Sequence, residues 1–328
     1  MVIDGKYRIL KKIGQGGMSI VYLAVNDKAN KTWAIKEIRR ETGLGAAFAE
    51  ERLRAETEIL KRLRHPRLPE IVDVIEEEEG LLIVMDYMEG SSLKEVLIRE
   101  GPQPEERVLV WGKELCEVLE YLHQQNPPII YQDLKPSNVI LGPDGSVKLI
   151  DFGAAREVKD VRDREETVCL GTPGYAAPEQ WEGLGRIDAR TDVYCLGAVL
   201  YELVTGQDPG HEPYGIYPIR RWNPQLSAGL EAILEICTRA DPGERYKSCG
   251  ELARALEHCE EMDLHVRRKQ KKQFFLFLSA LFLTILCLGG AFFVRQRERR
   301  LTFRLYESLR EQAFSALEKE EKLAVYER

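Results

Sequence analysis

The sequence lacks the cysteine pattern of a metal site or of a disulfide scaffold. Its seven cysteines are scattered along the chain, and none is paired at the short spacing of zinc ligands. Their odd number and their placement in helix-like segments indicate reduced thiols in a cytosolic compartment. The first residues carry no secretory signal and lead directly into a strand-like segment. The cysteines are Cys116, Cys169, Cys195, Cys237, Cys249, Cys259 and Cys287.

The sequence also lacks an excess of positive charge. Its formal net charge is −7, and residues 265–328 hold 14 Lys+Arg against 7 Asp+Glu, so the other 264 residues sum to −14. Such an acidic segment argues against a nucleic-acid partner, because nucleic-acid binding needs a basic surface. It is compatible with basic protein substrates, although solubility is the commoner meaning of such a charge.

Four polar residues in the middle of the chain have a spacing suited to phosphoryl transfer. Asp133 offers a carboxylate that can accept a hydroxyl proton, and Lys135 offers an ammonium that can neutralise a migrating phosphoryl group. Asn138 and Asp151 supply hard oxygens of the kind that magnesium prefers. The segment between them, residues 139–150, reads as two short strands joined by a turn. That hairpin would bring Asn138 and Asp151 to the same end.

Upstream segments add a glycine-rich turn and a lysine on a strand. Gly14–Ser19 lies between two strand-like runs, where glycines let a backbone approach phosphates closely, but a lone turn of this kind is weak evidence. Lys36 ends another strand-like run, and a helix is predicted over residues 46–63. Carboxylates that could pair with Lys36 on that helix are Glu50, Glu51, Glu56 and Glu58.

Seven ordered motifs over about 260 residues resemble the bacterial eukaryotic-like (Hanks-type) Ser/Thr protein kinases. The resemblance implies an α+β bilobal fold, with a five-stranded N-lobe that carries one helix and a mainly helical C-lobe. It favours Glu56 over its rivals, because Glu56 lies nine residues before His65-Pro66. It also implies that ATP and Mg²⁺ are bound, with Mn²⁺ as an alternative metal, and that the substrates are proteins.

The resemblance assigns a role to each candidate site residue. Asp133 would orient and deprotonate the substrate hydroxyl, Lys135 would stabilise the γ-phosphoryl group, and Glu56 would position Lys36 on the α- and β-phosphates. Asn138 and Asp151 would hold the metal. In the activation segment, the Thr172 hydroxyl would brace Asp133 and Lys135, and Thr167 carries the remaining free hydroxyl. Glu179, Asp192 and Arg245 would be structural, with Arg245 paired to Glu179. The expected ATP-binding residues are Ile13, Gly14, Gln15, Gly16, Gly17, Met18, Ser19, Val21, Ala34, Lys36, Met85, Asp86, Met88 and Ile140.

Two residues depart from the usual His-Arg-Asp pattern of the family. Tyr131 takes the place of histidine, where we expect it only to pack. Gln132 takes the place of the arginine that pairs with a phosphate on the activation segment, and a neutral amide cannot replace that bidentate charge. We therefore expect basal activity to depend little on Thr167, and regulation to come from membrane-driven self-association as a homodimer.

An uninterrupted run of 21 uncharged residues, Phe274–Val294, predicts a single transmembrane helix. As a helix it would measure about 31 Å, close to the hydrocarbon thickness of a bilayer. Five basic residues before it and four after it barely engage the positive-inside rule, so the need for ATP decides the orientation. The predicted organisation is a cytoplasmic kinase domain at 1–264 (N-lobe about 1–86, C-lobe about 90–264), a basic juxtamembrane segment at 265–273, the span at 274–294, and an extracytoplasmic helical tail at 295–328.

Two other functions fit parts of the pattern. One is a membrane-anchored pseudokinase that binds nucleotide as a scaffold without transferring phosphate. Against it, Lys36, Asp133, Asn138 and Asp151 are all present. The other is a small-molecule kinase of similar fold, such as an aminoglycoside phosphotransferase. Against that, the activation segment is complete and ends in Ala-Pro-Glu.

Overall fold

A computed structural model describes residues 1–15, 19–39, 54–77, 80–158, 171–181, 187–212 and 214–326. The chain divides into two compact units, Met1–Val266 and Arg267–Arg328. The first unit contains an N-terminal lobe built on a sheet and a C-terminal lobe built on helices.

The N-terminal lobe is an antiparallel sheet of six strands in the order β1-β2-β3-β4-β6-β5. Five are the long strands that the sequence predicts, and the two-residue β1 adds a short edge. Side chains alternate between the two faces, and one face buries the cluster around Trp33, Ile35 and Val84. The strands are β1 (Val2–Ile3), β2 (Tyr7–Gln15), β3 (Ser19–Asn26), β4 (Lys31–Arg39), β5 (Ile71–Glu77) and β6 (Gly80–Asp86).

One helix, α1, accompanies this sheet, and its described part covers residues 54–62. Its buried positions are Glu56, Thr57, Ile59 and Leu60, with Leu63 just beyond its end, which is the spacing of one helical face. The three apolar residues join the main hydrophobic core, whereas Glu56 is a carboxylate buried on the same face. A buried carboxylate requires a partner, and its partner defines the site described below.

The C-terminal lobe is built around α4, in which fourteen of seventeen residues are buried. Helix α2 begins at a capping box, in which Ser92 and Glu95 bond each other's backbone N–H groups. The helices of this lobe are α2 (Leu93–Glu100), α3 (Glu105–His123), α4 (Ala189–Thr205), α5 (Ala228–Cys237) and α6 (Cys249–Glu257). Its short strands are β7 (Ser91–Ser92), β8 (Ile129–Ile130), β9 (Val139–Leu141), β10 (Val147–Leu149) and β11 (Arg156–Glu157).

The hairpin of β9 and β10 sets the two candidate metal ligands at one end. Its strands pair antiparallel from Val139 opposite Leu149 to Leu141 opposite Val147. The N–H of Ile150 donates to the carbonyl of Asn138 at 2.9 Å, so the backbone just before Asp151 is bonded to Asn138. β7 pairs with the other edge of β9. Gly90 directly precedes β7 and has φ of 141°. A residue with a Cβ could not occupy this position, because that Cβ would lie 2.0 Å from the carbonyl oxygen of Leu141.

The end of the first unit differs in one detail from the sequence-based expectation. A single helical pattern runs from Cys249 to Glu261, but α6 ends at Glu257 and a new helix, α7 (Cys259–Tyr326), begins two residues later. His258 separates them with φ −97° and ψ 23°, and its N–H donates to the carbonyl of Arg254. Hydrophobic periodicity continues through this junction, so it cannot reveal the break.

The second unit consists of the remaining helical residues, 267–326. Among the described residues, Phe274–Ser315 is a helix long and apolar enough, by length and composition alone, to cross a membrane. Its large apolar side chains are exposed, from Phe274 at 60% to Phe293 at 70%. The uncharged run is confined to its first half.

A buried ion pair joins the segment after Ala177 to the loop before α6. Arg245 donates to Glu179 through both terminal nitrogens, at 2.7 and 2.8 Å, and both side chains are almost completely buried. Arg245 also donates to the carbonyls of Arg239 and Ala240, and Thr191 donates to Glu179. The pair is thus fully hydrogen-bonded within the protein, so that removal of one partner would leave the other as an uncompensated buried charge.

We predict that Arg245→Leu lowers the free energy of unfolding by about 3–5 kcal/mol, because it leaves Glu179 charged and buried. Urea unfolding of the full chain in detergent, followed by tryptophan fluorescence, measures this. All four tryptophans precede residue 265, so the signal reports the first unit.

The matched control is Arg8→Leu, since Arg8 also forms a bidentate pair, with Asp27 on the surface, at 3.0 and 2.7 Å. Its removal should barely shift the urea midpoint, because exposed ion pairs contribute little. Equal effects of the two substitutions would show that burial of the Arg245 pair does not matter.

Candidate active site

Lys36 on β4 lies between two carboxylates from different parts of the fold. Its ammonium is 2.7 and 2.9 Å from the two oxygens of Glu56 on α1, and 3.0 Å from Oδ1 of Asp151. Lys36 and Glu56 are both buried, at 7% and 4% exposure. Of the rival carboxylates on α1, Glu58 pairs with Lys61, whereas Glu50 and Glu51 lie outside the described residues. Lys36 and its two carboxylate partners therefore connect the sheet, helix α1 and the segment after β10.

The electrostatics of this group keep it charged. Burial alone would lower the pKa of Lys36, but the Glu56 and Asp151 carboxylates outweigh it and raise that pKa above its usual value of 10.5. Burial would raise the pKa of Asp151, but the charge of Lys36 outweighs it and lowers that pKa below 3.8. About half of the Asp151 side chain is accessible to solvent, against 8% of Lys36. The open side of this cluster is therefore the side of Asp151.

Glu56 has a second partner that ties the same helix to the other lobe. Its Oε1 accepts from the backbone N–H of Phe152 at 3.2 Å in addition to Lys36. Asp151 has φ of 66°, in the left-handed region, and its Oδ1 accepts from the N–H of Gly153. An aspartate tolerates this backbone conformation better than most residues, which suits a carboxylate that must turn sharply out of a strand.

A second cluster forms a closed triangle around Asp133. The ammonium of Lys135 is 2.8 Å from Oδ2 of Asp133 and donates to the Thr172 hydroxyl at 2.8 Å. Thr172 in turn donates to Oδ1 of Asp133 at 2.7 Å. Both oxygens of the carboxylate are thus held by neighbours, and the side chain retains 18% exposure. An acid that is oriented but still accessible can accept a proton from a hydroxyl placed against it.

Asn138 connects this triangle to the metal-ligand candidates. Its amide nitrogen donates to the carbonyl and to Oδ2 of Asp133, at 2.9 and 3.2 Å. The amide oxygen must then point away from Asp133, as a metal ligand would need. Among the described residues, no group of three or more His, Cys, Asp or Glu side chains could hold a metal by itself. One amide and one carboxylate fit a magnesium ion that takes its other ligands from phosphates and water.

The loop before Asp133 is fixed from below by Asp192 on α4. Its carboxylate is fully buried and accepts from the N–H groups of Tyr131 and Gln132, at 2.9 and 2.8 Å. His123 at the end of α3 lies 2.7 Å away through Nε2. Gln132 has φ of 66°, a strained conformation for a non-glycine residue that these bonds stabilise.

Tyr131 does more than the packing expected of it. Its ring meets that of Phe152 edge to face, with centroids 5.2 Å apart. In addition, its hydroxyl donates to the carbonyl of Ile150, which the sequence-based interpretation did not foresee. Burial raises the pKa of Tyr131 well above its usual range, so that it remains a neutral donor. Tyr131 thereby ties the loop of Asp133 to the residue that precedes Asp151.

The candidate nucleotide residues of the sheet share one face. Val21 pairs with Lys36 across β3 and β4, and Ala34 pairs with Met85 across β4 and β6. Since paired residues point to the same side, these four line the face that carries Lys36. Gly14 and Gln15 at the end of β2 pair with Val21 and Ile20 of β3, which begins at Ser19. Ile13 is 40% exposed, whereas Gly16, Gly17 and Met18 lie outside the described residues.

The remaining nucleotide candidates lie on the connection between the lobes. The Asp86 carboxylate is bonded to Lys31 and to the N–H of Glu70, and the Asp86 N–H donates to the carbonyl of Glu70 at 3.0 Å, so the carbonyl of Asp86 is the group left for a nucleotide. Asp86 and Met88 also border a cleft of about 470 Å³ that has none of the catalytic candidates among its lining residues. Ile140 is half-buried on β9, two residues after Asn138.

The same arrangement identifies the family. The family model described as the protein kinase domain matches residues 7–265, which includes every residue of both clusters. The chain belongs to the protein kinase family. Its first unit accordingly has the kinase architecture of a sheet-based N-lobe and a helical C-lobe.

Curated kinases from several bacteria are similar to this one. Serine/threonine-protein kinase PrkC of Bacillus subtilis is 33% identical over 261 residues, covering 76% of this chain and 40% of its own length. PknB of Mycobacterium tuberculosis is 33% identical over 267 residues, with shares of 76% and 42%. Pkn2 of Myxococcus xanthus is 34% identical over 275 residues, with shares of 78% and 32%. The chain thus spans about two-fifths or less of the length of these relatives.

Two residues of the kinase site escaped the sequence-based interpretation. His123 contacts Asp192, but a histidine in the last turn of a helix gives no sign of a partner 69 residues away. Gln180 contacts the loop of Asp133 through the carbonyl of Gln132 at 2.9 Å. Its only signal is its place directly after Ala-Pro-Glu. Thr167 of the activation segment lies outside the described residues.

Proposed function

We propose that this chain is an ATP-dependent serine/threonine protein kinase that phosphorylates hydroxyl groups of protein substrates. The observation that carries the proposal is the triangle of Asp133, Lys135 and Thr172, in which an oriented carboxylate lies 2.8 Å from an ammonium. The Lys36–Glu56 pair and the relatives' printed names as serine/threonine-protein kinases support it.

In this mechanism the substrate hydroxyl gives its proton to Asp133 as its oxygen attacks the γ-phosphorus of ATP. The bond from that phosphorus to the bridging oxygen breaks, and ADP leaves with the electron pair. Lys135 offsets the negative charge on the transferred group, since its ammonium is held by Asp133 and Thr172 beside the place of the attacking hydroxyl. Thr172 keeps the carboxylate turned towards that hydroxyl.

Lys36 binds the α- and β-phosphates, and Glu56 holds it in place from α1. Asn138 and Asp151 are the residues that would hold Mg²⁺ or Mn²⁺, which would neutralise phosphate charge when bound. The adenine ring would lie against Val21, Ala34, Met85 and Ile140. Gly14–Ser19 would cover the phosphates, and the main chain of Asp86 and Met88 would contact the ring.

We predict that Lys36→Met and Asp133→Asn each reduce phosphoryl transfer to a small fraction of the parent rate while the fold is retained. Loss of the general base should lower the rate by about 10²–10⁴-fold, and loss of the phosphate-binding ammonium by about 10²–10³-fold. Incorporation of label from radiolabelled ATP into a generic basic protein measures both. Circular dichroism and the thermal midpoint check the fold.

The matched control for Lys36 is Lys31→Met, on the same strand but paired with Asp86 at the surface. For Asp133 it is Asp144→Asn, in the turn between β9 and β10. Both controls should retain the parent rate. Near-normal transfer by Asp133→Asn would refute the mechanism. A parent protein that binds ATP without transferring phosphate would instead be a pseudokinase scaffold. Transfer only to small molecules would indicate a small-molecule kinase.

We further propose a single-pass membrane anchor. Support comes from the apolar run 274–294 within the candidate spanning helix and from the basic residues at 267–272. The proposed organisation is a cytoplasmic kinase domain at 1–264, a basic juxtamembrane segment at 265–273, the span at 274–294 and an outer tail at 295–328. ATP supply requires the kinase domain on the cytoplasmic side.

The topology predicts which end a protease can reach. In intact bacterial cells expressing the chain with a different epitope at each end, added protease should remove the C-terminal epitope and spare the N-terminal one. Immunoblotting of both epitopes measures this. Permeabilised cells are the control, in which both epitopes should be lost. Protection of the C-terminal epitope in intact cells would contradict the proposed orientation.

We also propose that activity is controlled by homodimerisation at the membrane rather than by a phosphate on Thr167. The buried Gln132 offers a neutral amide where the family's arginine would collect that phosphate. Glu165 and Glu166 would repel a phosphate at Thr167.

The initial rate of Thr167→Ala on an exogenous substrate should therefore stay within about threefold of the parent rate. A fall of about a hundredfold, near 2.7 kcal/mol, would instead identify loop phosphorylation as the switch.

A further inference from the structure

The peptide bond that precedes Asp133 is held at both of its polar groups. Its N–H, which belongs to Asp133, donates to the carbonyl of Tyr131 at 2.9 Å. Its carbonyl, which belongs to Gln132, accepts from Nε2 of Gln180 at 2.9 Å. Since this peptide plane carries the Cα of Asp133, its orientation determines where the Asp133 carboxylate points.

The orientation of the Gln180 amide follows from its neighbours. Its Oε1 accepts from the N–H of Ala177 at 2.8 Å. The Cys195 thiol lies 3.5 Å from this Oε1 and 3.9 Å from the carbonyl oxygen of Gln132, and its single proton can serve one of the two. The backbone N–H can only donate and the Gln132 carbonyl can only accept, so the amide nitrogen must face Gln132. Gln180 is 1% exposed, which leaves no water to replace these bonds.

Gln180 is mounted on a rigid element. It ends the short 3₁₀ helix Pro178–Gln180, directly after Glu179, which Arg245 holds in the buried ion pair. The link from this anchor to the loop of Asp133 consists of neutral protein groups only. This link therefore needs no phosphate on the activation segment. The contact expected from the family does need one, because there an arginine in the place of Gln132 pairs with that phosphate.

We propose that Gln180 is a positioning residue that orients the Asp133 carboxylate by holding the peptide bond between Gln132 and Asp133. It acts through the backbone and does not touch the substrate. Through it, the end of the activation segment and the catalytic loop form one hydrogen-bonded unit. The kinetic consequence rests on the proposed kinase function, but the structural consequence does not.

Two substitutions separate positioning from packing. Gln180→Met keeps the length of the side chain and removes its hydrogen bonds, whereas Gln180→Asn keeps the amide and is one methylene too short to reach both partners. The matched controls are Gln103→Met and Gln103→Asn. Gln103 is also a buried glutamine, at 5% exposure, whose amide donates to a backbone carbonyl, that of Gly101 at 2.9 Å. It makes that bond at the start of α3.

For both Gln180 variants we expect kcat to fall about 10- to 100-fold, because a small misplacement of a catalytic group costs about this much. KM for ATP should stay within about twofold, since Lys36 and Glu56 are unaffected. Both Gln103 variants should keep kcat within about twofold, even where their thermal midpoints fall as much as those of the Gln180 variants. A purely structural role would move the midpoints without this split between kcat and KM.

Amide hydrogen exchange of the full chain in detergent tests the link without any activity. Mass spectrometry of peptides that cover residues 130–135 should show faster exchange at the Asp133 N–H in both Gln180 variants and parent-like exchange in both Gln103 variants. Unchanged exchange there, or an unchanged kcat, would overturn the proposal, as would an equal loss of kcat in the Gln103 variants. If the parent transfers no phosphate, the proposed function fails while the exchange result still decides the link. If Gln180→Met does not fold, Gln180→Asn carries both measurements.

Discussion

The buried carboxylate of Asp192 is the interaction on which the catalytic loop depends. This carboxylate is not accessible to solvent. Its burial is tolerated because its oxygens are hydrogen-bonded by the N–H groups of Tyr131 and Gln132 and by a nitrogen of His123. These bonds hold Gln132 in the left-handed region, from which the chain turns to present Asp133. A central helix that is nearly all buried thus supplies a fixed reference for the one loop that must be placed accurately.

A second carboxylate has the corresponding role between the lobes. Glu56 bonds both Lys36 on the sheet and the backbone of Phe152 in the C-lobe. A displacement of α1 would therefore separate Lys36 from Glu56 and release the segment of Asp151 at the same time. The two clusters of the site meet through Tyr131, whose ring packs on Phe152 and whose backbone is held by Asp192.

The ordered motifs, and the family resemblance that they carry, predicted the bilobal architecture and named the residues of the candidate site. The α+β bilobal fold was confirmed, and β9 and β10 form the two short strands joined by a turn that were predicted between Asn138 and Asp151. Glu56 lies against Lys36, whereas its rivals on the helix could be set aside only by family spacing. The break at His258, the Tyr131 hydroxyl bond and the contacts of His123 and Gln180 were not predicted. Each of the last three joins residues that are 19 to 69 positions apart, and periodicity carries no information about such contacts.

The position of Lys36 between two carboxylates also determines how it reacts with chemical reagents. Only the neutral amine of a lysine can attack acylating and sulfonylating reagents, and the raised pKa of Lys36 keeps that form scarce at neutral pH. A nucleotide-shaped reagent aimed at this lysine would therefore react slowly as long as Glu56 and Asp151 remain in contact with it. Any change that moves the Asp151 carboxylate away would leave Lys36 with one acidic neighbour, so the rate of covalent labelling would report on the state of the cleft.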